Sequence, residues 1–226
     1  MNVDDVESVA PVKDKLIEIF ERQGELAHKY IDVEKRNRIG YGILPDEYEH
    51  NLDSRFTQAL LKDFAWRSVE EITEATEALG KQHDIHPQEE VADALHFLVE
   101  LCLIAGISPE DVAVPARPNS KGDMLDNMFD VEYGYGRTPE VAKVLNTRML
   151  VYNYVEHLGI AMNCLKNKPW KQTHFVTDKA KFKQAVCNAF HSLVDVAISF
   201  RMNADLLYDF YFKKNQVNQF RVRSKY

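Results

Sequence analysis

Two pairs of acids stand at helical spacing in this chain: Glu71 with Glu74, and Glu90 with Asp93. Residues three apart share one face of a helix, so each pair can present two carboxylates in one direction. Fifteen residues lie between Glu74 and Glu90, enough for a turn and the start of a second helix. Two antiparallel helices could then aim four carboxylates at one point. Like charges that close repel strongly, and a hard divalent cation that prefers oxygen ligands, such as Mg²⁺, resolves the repulsion. An ExxE pair alone is common on a solvated helix face. The second pair has a different setting, because residues 94–107 are almost wholly apolar, and Asp93 at the head of that stretch and Glu100 within it need partners.

The elements that must position these acids read as helices almost throughout. Only nine Gly and eight Pro occur in 226 residues, and apolar residues recur near every 3.6 positions. The spacing predicts helices over about 11–36, 54–80 and 87–106, a short one at 108–111, and later ones over about 139–165, 178–201 and 203–220. A turn is expected at 39–45, and the Pro-, Gly-, Asn- and Asp-rich stretch 114–138 reads as a loop. The fold class is therefore all-α, one helical bundle.

Composition bounds the function. Hydrophobic residues make up 45% and charged residues 28%, an ordinary globular balance that allows a substantial core. The net charge of −7 argues against a large nucleic-acid surface. No apolar stretch is long enough for a membrane span. Three cysteines without metal spacing, and no signal peptide, suit a reduced cytoplasmic protein. Basic residues gather at the end: 213–226 holds Lys213, Lys214, Arg221, Arg223 and Lys225 and no acid. Such a terminal segment is expected to be partly mobile until an anion orders it.

A weak internal repeat is visible. VADALH (91–96) resembles VCNAFH (186–191), and SPED at 108 lines up with NADL at 203. The positions matching Glu71, Glu74, Glu90 and Asp93 are His157, Ile160, Ala185 and Asn188. Packing positions persist while the acids vanish, as expected if one half (about 11–112) carries a site and the other (about 134–212) is structural.

The EExxE (70–74) and ExxD (90–93) motifs, with YFKKNQVNQFR (211–221) at the end, resemble the all-α nucleoside triphosphate pyrophosphatase superfamily. Within it, the chain is similar to dimeric dUTPases and phage-type dCTP/dUTP pyrophosphatases. The resemblance implies Mg²⁺-dependent attack of water at the α-phosphorus of dUTP or dCTP, giving monophosphate and pyrophosphate. It implies that Glu71, Glu74, Glu90 and Asp93 hold two or more Mg²⁺ ions, with Mn²⁺ as a substitute. It places Gln23, Tyr211, Lys214, Asn215, Asn218, Arg221, Arg223 and Tyr226 around the substrate, Gln23 at the base. It also implies a homodimer, with no nucleic acid or membrane as partner.

Two other readings stand beside this one. Asp93 and His96 resemble half of a di-iron Glu-x-x-His element, which would make a ferritin-like oxidase. A non-catalytic nucleotide-binding protein would keep the bundle without turnover. His96 and His191 fall in apolar helices, where packing with a satisfied ring is the simpler expectation.

Overall fold

The computed structural model describes residues 1–37, 51–77, 79, 86–115, 122–130, 140–168 and 170–224, except the side chains of 31–37, 86 and 140–145. Eight α-helices and one 3-10 turn (Val3–Asp5) make up the regular structure of these residues. They are α1 (Lys15–Asn37), α2 (Arg55–Glu77), α3 (His86–Ile104), α4 (Pro109–Val112), α5 (Met124–Phe129), α6 (Glu140–Cys164), α7 (Lys179–Ser199) and α8 (Ala204–Ser224). The all-α expectation holds. The turn expected at 39–45 lies outside the described residues.

The architecture is two helical hairpins on a shared core. α2 packs along α3, α6 packs along α7, and α1 and α8 lie against each other and against α3. One apolar cluster runs through all of them, from Leu16 and Leu61 to Leu98, Tyr154, Phe190 and Tyr211.

Two helix ends share one geometry. Gly106 (φ 66°) follows the end of α3, and Arg201 (φ 64°) follows the end of α7. After each, a backbone N–H reaches back five residues: Ile107 to Cys102 O at 2.9 Å, and Met202 to Ala197 O at 3.0 Å. The two left-handed residues match in the alignment that pairs Asp93 with Asn188. Glycine takes this conformation without strain; Arg201 takes it at a cost of about 1 kcal/mol.

The stretch 114–138 contains α5 rather than only loop. Asp123 accepts from Asp126 N at 2.9 Å, and Asp126 accepts from Asp123 N at 3.0 Å. This reciprocal cap, with Leu125 and Met128 buried behind it, sustains a helix despite the turn-rich composition.

An ion cluster fixes the frame of the site. Lys15, almost fully buried, lies 3.1 Å from Asp123, 2.8 Å from Asp126 and 3.1 Å from Asp205. Asp14 caps α1 through Leu16 N (2.9 Å) and takes Met124 N on its other oxygen (2.8 Å). The starts of α1, α5 and α8 are thereby tied together.

The basic end is not a separate tail. Residues 213–224 continue α8, with Asn215, Val217 and Gln219 buried. The apolar and amide positions fall on the face that meets α1, which makes the helix longer than its charge pattern alone indicates.

Candidate active site

Helical spacing delivers four stripes of side chains to one cavity of about 380 Å³. From α1 come Gln23, Leu26, Ala27 and Tyr30; from α2, Leu60, Phe64, Arg67 and Glu71. α3 supplies Asp93, His96, Phe97 and Glu100, and α8 supplies Lys214, Asn218 and Arg221. Every stripe follows steps of three and four.

The acids meet as the spacing predicted, with one difference. Glu71, Glu90 and Asp93 each offer an oxygen, and these atoms lie within 4.8 Å of one another. Glu90 is buried, and Glu71 and Asp93 are half-buried. Glu74 is exposed and stands outside this group, close enough to act on Glu71 through charge. Burial, a hydrogen bond shared with Glu90, and the charges of Asp93, Glu90 and Glu74 push the Glu71 carboxyl up to about 8. Glu71 thus keeps a proton at neutral pH that a cation would displace. Burial also pushes Asp93 up to about 6, against the pull of Lys214, whose Nζ lies 2.5 Å away.

Beside the acids a buried polar chain crosses three helices. His96 Nδ1 lies 2.7 Å from Gln23 Oε1, and the Tyr211 hydroxyl donates to the same oxygen at 2.9 Å and to Ile19 O at 3.0 Å. Gln23 Nε2 donates to Glu100 at 2.8 Å. These partners fix the amide: its oxygen is taken, and one N–H remains. The His96 ring stacks on Tyr211 with centroids 4.0 Å apart. Burial, then the charge of Lys214, hold its pKa down to about 3, so the ring is neutral. Its Nε2 is buried without a partner.

The remaining expected residues divide. Lys214, Asn218 and Arg221 line the cavity. Tyr211 and Asn215 are fully buried behind it; Asn215 donates to Arg22 O at 3.4 Å and accepts from Gln219 at 2.9 Å. Arg223 is exposed and bonds Gln219 O at 3.2 Å. Tyr226 lies outside the described residues. Sequence reasoning missed Tyr30, Phe64, Arg67 and Phe97. Arg67 sits 5.5 Å from the Phe64 ring and 5.9 Å from that of Phe97. Its place four residues before Glu71 was the available signal.

A family model described as dUTPase matches residues 77–226. The chain belongs to the dUTPase family. The match takes in Glu90, Asp93 and all of α8, and begins after Glu71 and Glu74. Membership brings a general pyrophosphatase-type action on nucleotides and the use of a divalent metal. No match was found among curated proteins or among solved structures. No helix among the described residues is long and apolar enough to cross a membrane.

Proposed function

We propose that the chain hydrolyses dUTP, in preference to dCTP, to dUMP and pyrophosphate with Mg²⁺. The observation that carries this is the meeting of three carboxylates with Lys214, Asn218 and Arg221 around one nucleotide-sized cavity. The donor set fits the metal: carboxylate oxygens alone, one of them held protonated by burial and by its anionic neighbours. His96 is not in the group able to ligate one ion, which disfavours the di-iron reading.

Glu71, Glu90 and Asp93 would hold the metal, with Glu74 completing the set from the rim. When bound there, the metal would supply charge neutralisation of the phosphates and activation of the attacking water. A carboxylate of the cluster accepts the proton of that water. The new P–O bond forms at the α-phosphorus, and the bond to the β-bridging oxygen breaks with that oxygen leaving on pyrophosphate. Arg221 and Lys214 supply countercharge to the phosphates. The free N–H of Gln23 suits a ring carbonyl, which favours O4 of uracil over the amino group of cytosine.

A catalytic half and a degenerate half of one bundle, in a cytoplasmic enzyme of nucleotide-pool control, complete the reading. A homodimer is part of it, supported by the exposed Met149, Tyr152, Val155 and Ile160 on α6. The acidic net charge supports a small-molecule substrate over a polynucleotide.

The test is product analysis on a panel of dUTP, dCTP, dTTP, dATP and dGTP with Mg²⁺. Pyrophosphate release, fastest from dUTP, is expected. Orthophosphate release, or nucleotide binding without turnover, would sink the proposal; the latter would favour the non-catalytic reading.

A further inference from the structure

Asp93 already carries a cation of the protein's own. Lys214 reaches from α8 to α3 and sets its ammonium 2.5 Å from Asp93 Oδ2, with both side chains largely shielded from solvent (19% and 14% exposed). Its other charged neighbours, Glu89 and Glu90, are acids of the same helix. An acid buried beside two other carboxylates needs countercharge, and here an ammonium provides it.

We infer that Lys214 stands in for the divalent cation at Asp93, yields that carboxylate when the metal binds, and turns to the triphosphate beside Asn218 and Arg221. This rests on the reading of Glu71, Glu90 and Asp93 as metal ligands. An ammonium in direct contact with Oδ2 competes with a metal ligated there, since both are cations drawn to the same carboxylate. The lysine stem is long and freely rotating, and its head is a compact point charge, so release requires only rotamer changes. Positions 214, 218 and 221 share one face of α8, and all three line the cavity. The freed ammonium thus has a second anionic partner within the same cavity once a triphosphate is there. Because the exchange is an equilibrium, metal favours triphosphate and triphosphate favours metal by the same factor.

Mn²⁺ binding to the metal-free full-length chain, without nucleotide, reads the exchange by electron paramagnetic resonance. Removing the competitor in Lys214→Met should tighten Mn²⁺ binding roughly tenfold while raising KM for the Mg²⁺ complex of dUTP. Opposite signs for metal and substrate are not expected of a lysine that merely supports the fold. Lys213→Met is the control, because Lys213 pairs with Asp209 at 2.9 Å instead; it should leave Mn²⁺ affinity within about twofold. Lys214→Arg keeps the charge and should bind Mn²⁺ no tighter than wild type. Helix content by circular dichroism checks each chain, and Lys214→Gln replaces the Met variant if that one does not fold. Unchanged or weaker Mn²⁺ binding in the neutral variant, or equal tightening in Lys213→Met, overturns the inference. A wild-type chain that binds no Mn²⁺ removes the metal-site reading itself, and the inference with it.

Discussion

His96 donates from Nδ1 to the side-chain oxygen of Gln23 across 2.7 Å, joining the helix that carries Asp93 to the first helix of the bundle. Gln23 is also the acceptor of Tyr211 and the donor to Glu100. One amide thereby orders the polar wall of the cavity and decides which of its own atoms faces a ligand. Gln23→Leu removes the amide that joins His96, Tyr211 and Glu100. It should cost about 1–3 kcal/mol of stability and narrow the preference for dUTP over dCTP. Chemical denaturation and the ratio of kcat/KM values for the two substrates check this.

The pH dependence of stability follows from Glu71. Its folded pKa is raised, through burial and neighbouring acids, from the ordinary 4.5 to about 8. The folded state therefore binds a proton that the unfolded state has released, and stability falls as pH rises through that window. Below about 6.5, His96 opposes the trend, because its depressed pKa makes folding less favourable as pH falls. The metal-free protein should lose thermal stability between about pH 6.5 and 8.5. Added Mg²⁺ should restore it increasingly over the same range. Glu71→Gln should flatten the profile, as read by melting temperature against pH.

The acids should not contribute equally. Asp93→Asn should lower kcat/KM by at least about 100-fold, or roughly 2.7 kcal/mol of barrier, with helix content unchanged. Glu74→Ala should cost less, because Glu74 is exposed and lies outside the three-carboxylate group. Equal losses in steady-state kinetics would place Glu74 among the inner ligands.

Asn215 stands in the basic segment yet is fully buried, with its amide engaged by Arg22 O and Gln219. Asn215→Ala should cost about 1–3 kcal/mol of stability and leave kcat for dUTP within about twofold of wild type. A raised KM at unchanged stability would return Asn215 to the substrate.

Arg221 is exposed at the cavity and should act through charge. Arg221→Ala is expected to raise KM about tenfold, equivalent to roughly 1.4 kcal/mol. Between low and high salt, wild-type KM should rise more steeply than that of the variant, since screening weakens the contact the variant lacks.

Helical periodicity made the class legible, and the spacing of Glu71 with Glu74 and of Glu90 with Asp93 made four metal candidates legible, because three-residue steps share a face before any fold is known; the structure groups three of them and leaves Glu74 outside. The second helix of each hairpin is followed by a left-handed residue, Gly106 in one and Arg201 in the other, which the sequence signals with a glycine only at the first. Sequence could not show that Asp123 and Asp126 hold a short helix inside a turn-rich stretch, since burial of Leu125 and Met128 decides that. Nor could it divide the basic end. Lys214 and Asn215 are adjacent in the chain, yet one faces the carboxylates and the other is sealed against α1. Which face of α8 meets α1 and which meets the cavity is set by the packing of Tyr211 and Val217 in the core, a long-range matter that local spacing does not encode. The sequence determined the helices, the acids and their common direction. The tertiary structure decided which of them share a cavity, because burial and charge depend on neighbours from distant parts of the chain.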